Sequence, residues 1–174
     1  TDKPNPLLKP WQQRLASYKK TLEKAPAAEK TALRRKIDHA ERVIEELKRY
    51  SFLISEYDPF IVVPLGVVNQ STPFSPQFGD YAVVIVGDKL YPALVGDAGP
   101  RYKTGEGSLR LSREINPKAG PYSRPVSDLK VSYLIFPGSA EPEAGPPDYE
   151  KITDRCRELL NEIGGMGKGF NLHQ

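Results

Sequence analysis

Tyr81-Ala82-Val83-Val84-Ile85-Val86-Gly87-Asp88-Lys89-Leu90-Tyr91-Pro92-Ala93-Leu94-Val95 reads as two strands joined by a turn. Residues 81–86 are apolar and rich in β-branched side chains, Gly87-Asp88 is a two-residue hairpin signal, and 90–95 is apolar again. A hairpin in the middle of the chain predicts a core built mainly of strands. Directly after it come Gly96-Asp97-Ala98-Gly99-Pro100 and Gly105-Glu106-Gly107-Ser108, which set two carboxylates nine positions apart among glycines. Glycines let the backbone turn sharply and leave neighbouring acids unshielded, which suits groups that must meet a substrate. Asp97 is expected just beyond the strand's end. On spacing alone an equal alternative stands, in which Asp97 caps a turn and Glu106 begins a helix.

Outward from the hairpin, 60–63 is a further strand stopped by Pro64, and a loop with Pro73, Pro76 and Gly79 leads back to Tyr81. Residues 108–114 fit either a short helix or a strand. The stretch 116–125 is a Pro- and Gly-rich loop, and 130–136 is an apolar strand ending at Pro137-Gly138-Ser139. Before the β-rich part the period is helical. Trp11, Leu15, Tyr18 and Leu22 align on one face of 10–24, Pro26 interrupts, and Leu33, Ile37, Ala40, Ile44 and Leu47 form a stripe on 27–49. So short a loop predicts an antiparallel hairpin. Its stripe packs on itself and on the domain body in the preferred reading, and serves self-association in the other. His39, at the edge of that stripe, is expected to be a surface or packing residue. At the other end, 141–147 has linker composition, 149–163 is an amphipathic helix with Ile152, Cys156, Leu159, Leu160 and Ile163 on its apolar side, and the glycine-rich 164–174 is expected to be mobile. The organisation predicted is a helical hairpin over 1–50, a β-rich core over 51–140, and a linker, helix and tail over 141–174.

The chain has 174 residues, 39% of them hydrophobic, enough for a sizeable core. No apolar run approaches the roughly 20 residues that span a bilayer, so no membrane partner is expected. The sequence begins at Thr1 without a signal peptide, as expected of a processed mature form or a trimmed piece. One cysteine and two histidines make a protein-bound metal improbable, and no cofactor is expected. Cys156 has no histidine near it in sequence to activate it and reads as a buried, inert thiol. The formal charge is +3, unevenly spread: residues 1–50 hold 13 Lys and Arg against 7 Asp and Glu, and residues 51–174 hold 12 against 15. The basic residues of the N-terminal part alternate with acids on helices, which is a solvated face rather than a nucleic-acid footprint. Residues 51–140 carry 8 acids and 8 bases, and Arg101 and Lys103 lie between Asp97 and Glu106.

Four ordered elements carry a resemblance: Asp58-Pro59-Phe60-Ile61-Val62-Val63-Pro64, Gly79-Asp80-Tyr81-Ala82-Val83-Val84, the paired GDAGP and GEGS motifs, and Tyr133-Leu134-Ile135-Phe136-Pro137-Gly138-Ser139. Over about half its length the chain resembles the fungal-type chitosanases of glycoside hydrolase family 75, as a bacterial-like relative. The resemblance implies an α+β fold whose core is a compact, mainly antiparallel β-barrel of double-psi type. It also implies a secreted or periplasmic enzyme that cuts β-1,4 links in chitosan or a related amino-sugar polymer with inversion, its essential acids falling on Asp97 and Glu106.

The residues fit that chemistry independently. An inverting hydrolase needs one carboxylic acid to protonate the leaving oxygen and one carboxylate to activate water. Glu106 is the favoured acid, since partial burial beside Leu109 and Tyr102 would suit it, and Asp97 the base; the reverse assignment stays open. Tyr102 and Tyr122 are candidate sugar-stacking platforms, and Asp58, Asp80 and Asp128 candidate contacts for glucosamine ammonium groups. For each, a core aromatic or a turn residue is the plainer alternative. The competing functional reading is a non-catalytic carbohydrate-binding or interaction module on the same scaffold.

Overall fold

The structure is a computed structural model that describes residues 5–49, 53–68, 70–123, 125–126, 130–143, 145–169 and 171–173. It divides into two compact units, one within residues 2–52 and one within residues 53–174. In the first, α1 (Leu8–Lys24) and α2 (Ala27–Arg49) are joined across Ala25-Pro26. Leu33, Ile37, Ala40 and Ile44 of the predicted stripe are buried, while Trp11, Leu15, Tyr18 and Leu22 are half-buried. His39 meets the Trp11 ring edge-on at 5.6 Å. Lys19 pairs with Glu41 at 2.7 Å across the hairpin. No helix among the described residues is long and apolar enough to cross a membrane.

The second unit is α+β. Its strands are β1 (Phe60–Pro64), β2 (Tyr81–Val86), β3 (Lys89–Gly99), β4 (Glu106–Gly107), β5 (Val131–Ile135) and β6 (Asn171–Leu172), and its helices are α3 (Leu109–Ile115) and α4 (Tyr149–Glu162). The β2–β3 hairpin forms around Gly87-Asp88, with Gly87 at the positive φ of +61° that the first residue of such a turn requires. The strand order is β4-β1-β3-β2-β5, with β6 beside β3. The mainly antiparallel expectation is corrected to a mixed sheet, since β1 and β6 both run parallel to β3. Local turn chemistry sets β2 against β3, but no turn connects β1 to β3, and nothing local in the sequence fixes their direction.

Alternation along the strands gives the sheet two packed faces. Ile61, Val63, Ala82, Val84, Tyr91, Ala93 and Val95 lie on one face with Leu111 of α3. Tyr81, Val83, Leu90 and Phe136 lie on the other with Ile152, Cys156, Leu159 and Leu160 of α4. Asp148 caps α4 by accepting from the Lys151 amide. Ile163 falls just past the helix end and is exposed, contrary to its expected place on the apolar side. The Cys156 thiol is fully buried and donates to the Ala82 carbonyl, and burial pushes it up to about 12. The tail is not loose where it is described. Asn171 and His173 donate to the carbonyls of Asp88 and Leu90, which docks β6 on the sheet, and Met166 packs on the α4 side of the core. Its glycines serve the path back to the sheet, four of them at positive φ.

The sheet curls. Tyr133 on β5 donates its hydroxyl to the Glu106 carbonyl on β4 at 2.9 Å, although these strands stand at opposite ends of the strand order. A flat sheet would hold them four strand spacings apart, about 19 Å.

Candidate active site

Asp97 lies inside β3 and not beyond its end, because β3 continues through Gly99 in order to pair with β1. Along that pairing the register moves from Ile61↔Val95 to Val62↔Asp97, so Gly96 is the extra residue of a bulge. Its effect follows from strand alternation. Val95 faces the core, and in a regular strand Asp97, two positions on, would face it too. The inserted residue reverses the phase: Ala98 packs against the core and Asp97 is exposed. Asp97 Oδ1 accepts from the Ala98 amide at 2.8 Å.

Glu106 begins β4, after Gly105 makes the turn at a φ of +81°. It stands opposite Val62 from the other side. Val62 is therefore flanked in register by both acids. Residues in register on neighbouring strands point to the same face, so both side chains rise on the side of Val62 that faces away from Ile61 and Val63. Two strand spacings separate their Cα atoms by about 10 Å. Between them the floor is cut low at Gly99, where a Cβ would come to 2.9 Å from Glu106 Oε2 and 3.2 Å from Val62 Cγ1. Glu106 Oε1 is paired with Lys103 Nζ.

Two residues fix the Glu106 backbone. Ser108 is fully buried, donates its amide to the Phe60 carbonyl at 2.8 Å, and accepts at Oγ from the amides of Phe60 and Leu111, so it both caps α3 and ties that helix to β1. This settles the 108–114 stretch as a helix, with Glu106 in a strand before it. Tyr133 holds the Glu106 carbonyl, and its hydroxyl is pushed up to about 12 by burial and then by the Glu106 charge. The Ser108 role was visible in the sequence as a helix-start signal, whereas Tyr133 carries no local signal because its contact depends on the curl.

The remaining candidates separate by burial. Tyr102 is 90% exposed on the turn between the two acids, and Tyr122 is fully exposed on the Gly120–Ser123 turn, so neither is a core aromatic. Glu106 is partly buried, as expected, but Tyr102 is turned outward and does not shield it, and Lys103 pairs with its carboxylate. Asp58 and Asp80, expected to meet substrate ammonium groups, are both fully buried. Asp58 accepts from the Ile54 amide at 2.5 Å and the Tyr149 hydroxyl at 2.8 Å. Asp80 accepts from the amides of Gln77 and Ala140 at 2.7 and 3.0 Å. Both carboxylates organise loops from inside, and a polymer cannot reach them. Asp128 lies outside the described residues.

A family model described as the fungal chitosanase of glycosyl hydrolase group 75 matches residues 10–170. No curated protein matches the chain.

Proposed function

Because the chain belongs to the fungal chitosanases of glycosyl hydrolase group 75, and is by that membership a glycoside hydrolase, we propose that it cuts internal β-1,4 links of chitosan by an inverting mechanism centred on Asp97 and Glu106. The observation that carries this is the shared register of both acids on Val62, with both side chains on one face. Side chains rising on one face from Cα atoms about 10 Å apart are compatible with the roughly 6.5–9.5 Å separation that leaves room for a water. Glu106 gives its proton to the glycosidic oxygen as the bond from that oxygen to the anomeric carbon breaks. Asp97 takes a proton from the water whose oxygen bonds the same carbon from the opposite face. Tyr102, standing free beside the pair, offers a ring for a sugar to stack on. An exported enzyme suits the reading, since a polymer of this kind is met outside the cell.

Proton NMR of the first products from a chitosan oligomer tests the stereochemistry. The α-anomer is expected to appear first and the β-anomer to grow only by mutarotation; β-anomer formed first would contradict inversion.

The finer fold belongs to the same proposal: the curled sheet is the visible part of a small double-psi barrel. In a closed barrel the amides of β4 and β5 are protected, so slow hydrogen exchange is expected along both. Rapid exchange throughout either strand would count against closure.

A further inference from the structure

We propose that the loop between β1 and β2 is a second substrate-binding element, in which Phe74 and Phe78 are stacking platforms for sugar units of the chitosan chain that lie away from the cleaved link. The inference rests on the hydrolase reading above and adds binding residues to it. Placement comes first. At its start the loop is held by the Leu65 amide, which donates to the Gly99 carbonyl at 2.9 Å, and at its end by the Gly79 amide, which donates to the Val95 carbonyl at 2.8 Å. Val95 and Gly99 stand two residues to either side of Asp97 on β3. The loop therefore leaves and rejoins the sheet around one of the two proposed acids.

Both rings are exposed, and both are presented by tightly held turns. Phe74 is 84% exposed at the third position of the turn Thr72–Ser75, closed by the Ser75 amide on the Thr72 carbonyl at 3.2 Å, with Pro73 fixing the second position. The buried Ser75 donates its hydroxyl to the Val67 carbonyl at 2.7 Å and accepts from the Gln70 amide at 2.7 Å, which ties this turn back to the start of the loop. Phe78 is 50% exposed at the second position of the turn Gln77–Asp80, whose third position is Gly79 at a φ of +93°. Asp80 anchors that turn from inside, since its buried carboxylate accepts from the Gln77 amide. Two buried polar side chains thus fix turns that carry phenylalanine into solvent, and rings held in this way lose little freedom on meeting a ligand.

The chemistry suits a glucosamine polymer. The C–H face of a pyranose is apolar and stacks on an aromatic ring, and the ring face also attracts an ammonium group without carrying a charge of its own. That second property matters here. Residues 51–140 hold 8 acids and 8 bases, and Asp58 and Asp80 are engaged inside the fold, so charge attraction alone is a weak hold on a polycation. Leu65 and Val67, exposed on the same loop, add apolar surface beside the rings.

Steady-state kinetics on polymeric chitosan test this. Phe74→Ala and Phe78→Ala are each expected to raise KM roughly twofold to tenfold with kcat little changed, because a ring that holds the chain away from the cleaved link binds substrate and transition state alike. Phe74→Trp is expected to keep a KM near wild type, whereas Phe74→Leu, apolar but without a ring, should raise it as alanine does. Phe74 is so exposed that its variants should melt like wild type, and they decide the matter even where Phe78→Ala loses stability. A KM unmoved in Phe74→Ala, a loss confined to kcat, or a Phe74→Leu protein matching wild type overturns the inference. So does a wild-type dimer in sedimentation that Phe74→Ala breaks apart, which would assign the ring to a second copy. If the wild type cuts no chitosan, the hydrolase reading fails, and affinity electrophoresis in gels carrying chitosan decides the role of the rings by itself. Retardation of the wild type that weakens in Phe74→Ala/Phe78→Ala supports it, and equal retardation of both, or none of the wild type, overturns it.

Discussion

Glu106→Gln is expected to lose about 10²–10⁴-fold in the rate of chitosan cleavage while keeping its fold. Glutamine has the same size and fits the space over Gly99, where Glu106 Oε2 now lies. What it cannot do is deliver a proton. The pair with Lys103 is lost, but both partners are partly exposed, with 54% and 33% of their side-chain surface open, and such a pair contributes about 0–1 kcal/mol. Thermal unfolding should therefore move by no more than a few degrees. Asp97→Asn is expected to fall as far, since it removes the group proposed to activate water, and the exposed Asp97 makes few contacts to lose. A nitrophenyl leaving group separates the two roles. It departs without protonation, so the acid variant should recover much of its rate on an aryl glycoside while the base variant should not. Recovery by Asp97→Asn instead would reverse the assignment. A folded Glu106→Gln or Asp97→Asn protein cutting chitosan within about tenfold of the wild-type rate would remove that residue from the mechanism.

What the sequence could convey about this site follows the range of the interactions involved. The 81–86 strand, the Gly87-Asp88 turn and both N-terminal helices rest on patterns that repeat within a few residues, and such patterns can be read directly. The position of Asp97 could not be read so. Whether it lies beyond β3 or inside it depends on β1 pairing in parallel with a segment more than thirty residues away. The same is true of Glu106, whose two-residue strand exists only because Val62 is there to pair with it. Burial decided the aspartates: a carboxylate beside a strand looks alike in sequence whether it faces a ligand, as Asp97 does in the proposed site, or the amides of its own loop, as Asp58 and Asp80 do. Tyr133 lay furthest from view, since its bond to Glu106 requires the whole sheet to curl.

The bulge at Gly96 is the feature on which the proposed chemistry depends most, and Gly96→Ala is expected to damage fold and activity together. A Cβ there would come to 2.5, 2.6 and 2.7 Å from Cγ, Cδ2 and Cβ of the buried Phe60. Because one of those atoms is Phe60 Cβ, the ring cannot simply swing aside, and the backbone of β1 or β3 has to move. Overpacking of this kind costs about 1–3 kcal/mol, which for a unit of this size lowers the melting temperature by roughly 3–12 °C. The same movement shifts Asp97, the next residue, and a displacement of about 1 Å at a reacting group costs on the order of 10²-fold in rate.

Gly99→Ala provides the contrast. Its nearest neighbour at 2.9 Å is Glu106 Oε2, the free end of a flexible side chain, so the carboxylate can turn away at little cost in stability. That substitution should leave melting within about 1 kcal/mol of wild type and still lower hydrolysis roughly 10–10²-fold. Removing the opposing ring gives a further check, because Gly96→Ala/Phe60→Ala, which keeps only the Cβ of the three close atoms, should be more stable than the sum of its two single changes predicts. Additive effects would mean that contact with Phe60 is not what destabilises Gly96→Ala, and a Gly96→Ala protein that melts and hydrolyses like wild type would mean that the close packing at Gly96 does not govern the position of Asp97.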